Sequence, residues 1–343
     1  MSCSPVPQLS VVAPCYNESA GLPEFHRRVT AACAGTGLDY EIVLINDGSR
    51  DGTWDVLRSL AGSDPRLVVV DLSRNHGHQL ALSAGLTVCR GERILIIDAD
   101  LQDPPELLPD MIQLMDAGAD VVYGQRRHRA GEGFFKLKTA AVFYRLINAL
   151  TERPIPVDTG DFRLISRRAL DVLISMPERH RFIRGMVSWI GFRQVPLMYD
   201  RDARFAGETN YPFRKMFRLA LDAVTAFSIK PLQIATWIGL FTGFVAVVIL
   251  IYAVYGFFFL QAVPGWTSVV VAVSLLSSVQ LFVLGILGEY IGRLYEQSKG
   301  RPLFIIRDVV RSPVGLVAPL TTPVMTISPG FQKSPPGVTA IKM

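Results

Sequence analysis

Three carboxylates follow an apolar segment in the stretch ILIIDADLQDPPE, residues 94–106. Asp98 and Asp100 flank one alanine, Asp103 follows shortly after, and the stretch contains no basic residue. Two like charges this close raise each other's pKa unless a cation joins them. Because Mg²⁺ takes one or two carboxylates and completes its shell with water and phosphate oxygens, the pattern predicts a divalent-cation site. We expect Asp100 to be the main ligand and Gln102 to add a neutral oxygen. Asp98 is expected either to contact a ribose or to interact with the metal through another ligand.

The first half of the chain alternates β-branched apolar runs with helical segments. Strands are predicted at residues 9–14, 40–47, 66–73, 93–100 and 119–125, and helices at 19–34, 53–60, 78–89 and 105–116. Near-continuous apolar strands separated by helices are typical of a parallel sheet with helices on both faces. The sequence therefore predicts an α/β fold with a mostly parallel sheet, in which ligands bind beyond the carboxyl ends of the strands.

The carboxyl ends of these strands carry clusters of polar residues. The clusters comprise residues 14–18, 46–52, 73–78 and 98–103. Turn formation and helix capping explain part of each cluster, and they are the favoured interpretation of Asp51, Gly52 and Thr53. His76 and His78 are able to ligate a metal, but a hydrogen-bonding role in the loop is favoured. Turn chemistry does not explain the acidic pair at 98 and 100.

A basic segment at residues 124–133 follows the predicted sheet and carries Arg126, Arg127 and Arg129. Arginine binds phosphate through paired hydrogen bonds. The segment is therefore a candidate phosphate site, and a solvated basic loop is the alternative.

A second charged stretch, residues 158–164, comes after a helix predicted at 134–150. It is predicted to turn into a strand, and it contributes Asp161 and Arg163 as further candidates. Arg163 either contacts substrate or pairs with Asp158 or Asp161; the sequence favours neither.

A long uncharged segment lies in the last third of the chain. No Asp, Glu, Lys, Arg or His occurs between Lys230 and Glu289. Since a hydrocarbon core takes only ~20 apolar residues per helix, two membrane spans fit here, with a break at residues 261–266. A buried helical hairpin of a soluble protein is the alternative. Glu289 and Arg293 fall on one helical face and are predicted to pair.

Composition divides the chain into four segments. Residues 1–211 are predicted to form the α/β domain, 212–230 an interfacial helix, 231–292 the two spans and 293–343 a cytosolic tail. The amphipathic pattern of residues 212–228 suits a helix lying in lipid head groups, with packing on the α/β domain as the alternative. The proline-rich end of the tail is expected to be disordered.

The distribution of charge indicates the location of the protein. Basic residues precede the first span and follow the second, which predicts that the α/β domain and both termini face the cytosol. The N-terminus shows no cleavable signal, and the four cysteines are expected to be reduced. The net charge of +5 is concentrated at the membrane flanks and in one loop. Anionic lipids and phosphorylated substrates account for this better than nucleic acid does.

Taken together, the motifs at residues 14–18, 46–49, 98–102 and 158–163 and the two spans resemble family 2 glycosyltransferases of the GT-A fold. The resemblance covers residues 9–310. It is to the polyprenyl-phosphate glycosyltransferases in particular, which include dolichyl-phosphate mannose synthases and bacterial two-span enzymes that make undecaprenyl-phosphate glucose. The resemblance implies a GT-A catalytic domain, a place in the bacterial inner membrane and assembly as a tetramer.

The resemblance also implies roles for individual residues. The nucleotide and ribose of the donor are expected at Pro14, Tyr16, Glu18, Asp47, Asp98 and Ala99. Mg²⁺ or Mn²⁺ is expected at Asp100, Gln102 and Asp98. Phosphate groups are expected at Arg126, Arg127, Arg129 and Arg163, the sugar and acceptor near Asp161, and the acceptor phosphate also at Arg204 and Lys215. Asn210 stands where the family usually carries lysine, so Arg204 or Lys215 is expected to compensate.

The implied reaction moves a hexose from a nucleotide diphosphate sugar to a polyprenyl phosphate, with inversion. UDP-glucose is the expected donor, and UDP-galactose, UDP-N-acetylglucosamine and GDP-mannose are the alternatives. The acceptor is a phosphate monoester whose second pKa lies near ~6, so its oxygen is already ionised at neutral pH. We therefore expect Asp161 to position the acceptor or its metal rather than to act as a base.

Other functions fit the sequence less well. A processive polysaccharide synthase of the same fold carries a Gln-x-x-Arg-Trp segment and more spans, and this sequence has no Arg-Trp pair. Two spans without an internal charge disfavour a transporter subunit. A membrane-tethered nucleotide-binding regulator is the alternative from another class. Because a regulator needs no metal site, metal-dependent release of a nucleoside diphosphate separates it from an enzyme.

Overall fold

The computed structural model describes residues 6–127, 159–179, 181–200, 230–259 and 265–311. The chain divides into two compact units. The α/β unit contains Met1–Ala130, Pro156–Glu208 and Gly300–Met343, and the apolar-helix unit contains Gly131–Ile155 and Thr209–Lys299. The predicted helices at 134–150 and 212–228, the proline-rich tail, Asp158 and Asn210 lie outside the described residues. The domain boundaries stay predictions.

Within the described residues, the α/β unit contains one sheet of eight strands. They are β1 (Leu9–Cys15), β2 (Tyr40–Asn46), β3 (Leu67–Leu72), β4 (Arg93–Ile96), β5 (Val121–Arg126), β6 (Thr159–Ser166), β7 (Gln194–Tyr199) and β8 (Ile306–Arg311). Their order is β7-β5-β6-β4-β1-β2-β3-β8. Four neighbouring pairs are parallel and three are antiparallel. The predicted α/β class and mostly parallel sheet are confirmed.

Helices connect most of these strands. They are α1 (Leu22–Ala34), α2 (Thr53–Ser63), α3 (His78–Val88), α4 (Leu108–Asp116), α5 (Arg167–Ser175) and α6 (Ile183–Ile190). The first four lie where the sequence predicts them, with a 3₁₀ turn at Pro105–Leu107 leading into α4. In α1, Leu22, Phe25, Val29 and Cys33 recur at helical spacing and are all buried, so the periodicity reports the face that packs on the sheet.

The packing of α3 on the sheet determines where its first residues lie. All seven residues of β1 and of β2 are buried, which explains their continuous apolar sequence. A Cβ on Gly85 of α3 would lie 2.4 Å from Ile45 and 2.6 Å from Val12, so glycine lets the helix approach the strands closely. Because α3 begins at His78, this packing holds His78 at the carboxyl edge of the sheet.

The centre of the sheet differs from the prediction. Strand β4 ends at Ile96, so Asp98 and Asp100 lie in the loop that follows rather than in the strand. Strand β6 is inserted antiparallel between β4 and β5, which separates two strands that are consecutive in the predicted order. An apolar run does not encode its partner or its direction, so the sequence pattern could not reveal this insertion. Its register pairs Ile96 with Arg163, which brings Asp161 alongside the loop of Asp98.

Strand β8 was not predicted and lies within the segment expected to be a tail. It pairs antiparallel with β3 at the edge of the sheet. Arg307 Nη1 lies 3.1 Å from Asp71 Oδ2, and Arg307 Nη2 donates to the Ser73 carbonyl at 2.7 Å. Asp71 is buried and also accepts from Asn46 Nδ2 at 2.8 Å. The strand thus supplies the cation for a carboxylate inside the α/β unit.

We expect Arg307→Met to lower the free energy of unfolding by ~1 kcal/mol, because it leaves the buried Asp71 without its cation, while the exposure of Arg307 limits the loss. The measurement is the Tm of the purified protein in detergent. Arg27→Met is the matched control, since it removes an exposed pair with Glu24 on α1 and should leave Tm unchanged. Equal Tm values for all three proteins would contradict this role of β8.

The apolar-helix unit contains two long helices, α7 (Lys230–Phe259) and α8 (Trp266–Ser298), which pack against each other. Each includes a window apolar enough to cross a membrane, Leu232–Ile249 and Val271–Ser298. Large apolar side chains on α7 are exposed, with Trp237 at 72% and Phe241 at 68%. This exposure disfavours a buried soluble hairpin. The predicted ion pair within α8 is confirmed, because Arg293 Nη2 lies 3.0 Å from Glu289 Oε1.

Candidate active site

The loops after β1 and β2 are joined by hydrogen bonds. The Asn17 amide donates to Ser49 Oγ at 3.1 Å, and the Arg50 amide donates back to Asn17 Oδ1 at 2.9 Å. The Glu18 amide donates to Thr53 Oγ1 at 3.0 Å. Three predicted nucleotide-binding residues lie at or just after the end of β1: Pro14 is buried in the strand, Tyr16 is 43% exposed, and Glu18 is half-buried. The structure therefore brings them to one edge of the sheet.

Asp47 joins this edge to the loop before α3. Its two carboxylate oxygens accept from the backbone amides of His76 at 2.7 Å and Gly77 at 3.0 Å. Burial raises the pKa of Asp47, and these hydrogen bonds oppose the rise without cancelling it. Because both oxygens are engaged with backbone amides, the carboxylate fixes the loop; contact with a nucleotide stays a prediction.

Gly48 sits where two loops touch. It has φ +62, and a Cβ there would lie 2.5 Å from the Arg74 carbonyl carbon and the Asn75 nitrogen. Both the backbone angle and the contact exclude a larger residue. The turn at residues 46–49 therefore requires glycine at this position.

We expect Gly48→Ala to lower the free energy of unfolding by ~2 to 4 kcal/mol, because it adds both left-handed strain and a backbone clash. It should also weaken binding of the nucleotide expected from the sequence, since the loops after β2 and β3 would separate. Tm and calorimetric titration with UDP, the nucleotide of the expected donor, check both effects. Gly52→Ala is the control in the same turn, since a Cβ there meets nothing within 4 Å. Equal Tm values and equal nucleotide affinities for the two variants would contradict the requirement for glycine at position 48.

A mixed cluster of charges lies beyond β4. The ligand atoms of His78, Asp98 and Asp161 all lie within 4.8 Å of one another. His78 Nε2 is 3.1 Å from Asp161 Oδ2 and 3.4 Å from Asp98 Oδ1. Burial lowers the pKa of His78, but the hydrogen bond with Asp161 and the charge of Asp98 outweigh burial and raise it to about 9. His78 is therefore an imidazolium at neutral pH, in contact with both carboxylates.

Asp161 is the most enclosed carboxylate of the cluster, with 1% of its surface exposed. Its Oδ1 accepts from Arg184 Nε at 2.8 Å, and its Oδ2 accepts from Gln79 Nε2 at 2.9 Å as well as from His78. Burial acts to raise the pKa of Asp161, but Arg184 and the hydrogen bonds hold it well below its usual range. A carboxylate this firmly ionised is a weak proton acceptor, which supports positioning over base catalysis.

The predicted metal ligands lie in the loop that follows β4. Asp98 Oδ1 is buried and makes no hydrogen bond among the described residues; its nearest opposite charge is His78. Burial and the neighbouring carboxylates raise the pKa of Asp98, which His78 opposes. Asp100 is half-buried and accepts from the Gln102 amide at 3.2 Å. Asp98 shares the charge of His78 with Asp161, and Asp100 adds a further carboxylate, so these residues fit a hard divalent ion.

The predicted phosphate-binding arginines occupy different environments. Arg126 ends β5 close to Gly160, and its guanidinium hydrogen-bonds to Tyr199, whose hydroxyl also donates to Asp103. Arg127 directly follows β5, and its side chain is exposed to solvent. Arg129, Arg204 and Lys215 lie outside the described residues.

Arg163 lies behind the cluster rather than at its surface. It is 4% exposed, and it donates to the carbonyls of Gly160 at 3.0 Å and Asp161 at 3.3 Å. Its guanidinium is 4.0 Å from Asp161 Oδ1, so the predicted pairing is present as a long contact. Burial lowers the pKa of Arg163 to about 10, which leaves it cationic. Contact with a phosphate stays a prediction.

The sequence did not indicate Gln79 or Arg184. Gln79 directly follows the polar cluster at 73–78, so its position at a strand end was the available signal. Arg184 lies in the short helix α6, whose placement beside β6 depends on tertiary contacts that local periodicity does not encode. Asp51 accepts from the Thr53 amide at 3.1 Å, a turn contact of the predicted kind, while the N-cap of α2 is Gly52.

Comparison with known proteins shows a family and several relatives. The Glycosyl transferase family 2 profile matches residues 10–174. The "Uncharacterized glycosyltransferase YkcC" of Bacillus subtilis is 45% identical, covering 88% of this chain and 93% of its own length. The "Bactoprenol glucosyl transferase" of Shigella phage SfV is 40% identical, covering 88% and 98%. A solved structure, that of glucosyl-3-phosphoglycerate synthase from Mycobacterium tuberculosis with Mn²⁺ and UDP-glucose, is 21% identical. The match covers 64% of this chain and 78% of that chain, with a TM-score of 0.44.

Proposed function

Because the chain belongs to glycosyl transferase family 2, we propose that it transfers glucose from UDP-glucose to undecaprenyl phosphate or a related polyprenyl phosphate. The observation that carries this proposal is the 40% identity with a bactoprenol glucosyl transferase across 88% of this chain and 98% of that protein. The exposed apolar helices support membrane association.

The donor is proposed to bind at the carboxyl edge of the parallel strands. The joined loops after β1 and β2 form one side of this edge, and the loop after β4 forms the other. Tyr16 offers an exposed ring to a base, while Glu18, Asp98 and the backbone near Pro14 and Ala99 are proposed to face the nucleotide and ribose. Asp47 keeps the adjoining loop in place through its two backbone hydrogen bonds.

Asp98 and Asp100, with Gln102, are proposed to hold Mg²⁺ or Mn²⁺. When bound, such an ion supplies positive charge to a departing diphosphate. The buried Asp98 oxygen without a hydrogen bond supports this assignment. His78 Nε2 lies 3.4 Å from the same Asp98 oxygen and offsets part of the negative charge that the carboxylates concentrate here.

Asp161 is proposed to position the acceptor. The polyprenyl monophosphate is ionised at neutral pH, so its attacking oxygen carries no proton that a base must remove. Asp161 stays ionised and is fixed by donors on both oxygens. The acceptor phosphate and the donor diphosphate repel each other, and Arg126, Arg127, Arg129, Arg204 and Lys215 are proposed to offset that repulsion, with Arg163 adding charge from behind Asp161.

The location of the acceptor determines the proposed location of the protein. A lipid-linked phosphate stays at the bilayer surface, so we propose that α7 and α8 cross the inner membrane with the α/β unit and both termini in the cytosol. The basic residues that flank the two spans support this orientation. The divisions at 211, 230 and 292 and a homotetrameric assembly belong to the same proposal.

A panel of donors tests the proposal. Membranes containing the protein, undecaprenyl phosphate and Mg²⁺ are incubated separately with labelled UDP-glucose, UDP-galactose, UDP-N-acetylglucosamine and GDP-mannose. The expected result is label in the organic phase from UDP-glucose alone. Label from a different donor would correct the sugar. Binding of nucleotide without lipid-linked product or UDP release would favour the regulator.

A further inference from the structure

The side chain of Gln79 makes two hydrogen bonds of opposite polarity. Its Nε2 donates to Asp161 Oδ2 at 2.9 Å, and its Oε1 accepts from the Ile183 amide at 2.9 Å. A carboxylate requires a donor and a backbone amide requires an acceptor. The primary amide supplies both from one side chain, so each partner fixes the orientation of the other end.

These bonds form part of a closed ring through three elements. Ile183 is the first residue of α6, and the next residue, Arg184, returns to Asp161 Oδ1 at 2.8 Å. Arg184 also donates to the Thr159 carbonyl at 3.1 Å, in the strand that carries Asp161. The ring thus runs from α3 through α6 to β6 and closes on a single carboxylate. A short helix is held at its first turn by both a neutral and a charged contact.

The base of the ring is rigid. Gln79 lies in the first turn of α3, and this helix packs closely on Ile45 and Val12 at Gly85. His78, the residue before it, donates to the same Asp161 oxygen at 3.1 Å. Two consecutive residues of one packed helix therefore fix one oxygen of Asp161, and Arg184 fixes the other.

We propose that Gln79 is a positioning residue for sugar transfer: it holds Asp161 and the first turn of α6, including Arg184, in the relative arrangement that the acceptor requires. This inference rests on the proposed function, which places Asp161 beside the acceptor. Gln79 acts through Asp161, and it need not touch either substrate.

The main test compares Gln79→Met with the wild-type protein. Methionine keeps the length of the side chain and removes both hydrogen bonds. We expect kcat to fall by ~10- to 100-fold, because small displacements of a positioning group are costly, with KM for UDP-glucose close to wild type. Tm should fall by only a few degrees, because the Ile183 amide loses its acceptor while the rest of the fold is kept. Hydrogen exchange at the Ile183 amide should speed up, which reports release of α6 independently of activity.

Gln194→Met is the matched control. Gln194 Nε2 donates to the Val187 carbonyl at 2.9 Å, so this variant removes an amide hydrogen bond to the same helix away from Asp161. It should keep wild-type kcat. An equal loss of kcat in the control would show that any loosening of α6 has this effect, and would overturn the specific role of Gln79.

A double-mutant cycle shows whether Gln79 acts through Asp161. In the Asp161→Asn background, Gln79→Met should lower kcat by less than about twofold, because the group that it positions is already compromised. Losses that multiply, or wild-type kcat in Gln79→Met, would overturn the inference. Failure of the proposed function is a separate result, since it appears as absence of lipid-linked glucose with the wild-type protein itself.

Discussion

Asp100→Asn is expected to reduce glucose transfer by ~1,000-fold at saturating substrates. The substitution keeps the shape of the side chain and an oxygen that can accept from the Gln102 amide, so the loop after β4 should retain its fold. It removes one of the two carboxylate charges that face the proposed cation. The loss should therefore lie in kcat and in ion binding, with Tm unchanged.

Initial rates and Mn²⁺ binding measured by water-proton relaxation check this expectation together. Asp110→Asn, an exposed substitution on α4, is the control for loss of one surface carboxylate. It should match wild type in both measurements. Asp100→Asn protein that binds Mn²⁺ normally and keeps activity within tenfold of wild type would remove Asp100 from the proposed metal site.

Asp161→Asn is expected to lower kcat by ~100-fold, a smaller loss than that of Asp100→Asn. An asparagine offers one oxygen and one amide nitrogen, whereas both oxygens of Asp161 accept hydrogen bonds. The nitrogen would face either Arg184 or Gln79, and one contact would be lost. The remaining contacts keep the side chain near its place, so a positioning role is weakened rather than abolished.

The kinetics of Asp161→Asn separate positioning from base catalysis. If Asp161 only positions the acceptor, Asp161→Asn should keep measurable activity, because the ionised acceptor phosphate has no proton for a base to remove. Complete and equal loss of activity in Asp161→Asn and Asp100→Asn would count against positioning.

The same substitution has a pH-dependent effect on stability. The folded-state pKa of Asp161 lies below its ordinary value of ~3.9, so ionisation contributes full stability above that value and loses it as the pH falls through the folded pKa. The Tm difference between wild type and Asp161→Asn should hold steady between about pH 6 and pH 5 and shrink below about pH 4. It should also shrink above about pH 7, because the imidazolium of His78, whose raised pKa depends on Asp161, then loses its proton. A difference that grows on acidification would contradict the assigned direction of the shift.

The sequence was sufficient to predict the parts of the fold that depend on local pattern. Apolar runs located β1 to β5, and periodicity located α1 to α4, because burial of each face imposes its spacing. The acidic pair at 98 and 100 was recognisable because an unexplained charge beside a strand end is uncommon. The length of the uncharged segment identified α7 and α8.

Features that depend on distant partners could not be predicted. Whether β6 inserts beside β4, and whether β8 returns to β3, depends on contacts across many residues. For Arg163 the sequence left substrate contact and pairing with Asp158 or Asp161 open, and only the strand register shows that it donates to the carbonyls of Gly160 and Asp161. Arg184 reaches Asp161 only because α6 packs beside β6. The sequence shows which residues are charged, whereas the partner of each charged side chain can be identified only from the folded structure.

The acidic loop after β4 is proposed to support transfer of glucose to a lipid phosphate. Radiolabel that enters the organic phase from UDP-glucose and undecaprenyl phosphate measures this transfer. The purified protein is assayed in Mg²⁺ and in excess EDTA, alongside the variant that combines Asp98→Ala and Asp100→Ala. We predict lipid-linked glucose from the wild-type protein in Mg²⁺ and none in the other two samples. Transfer at the full rate in EDTA, or by the double variant, would contradict the claim.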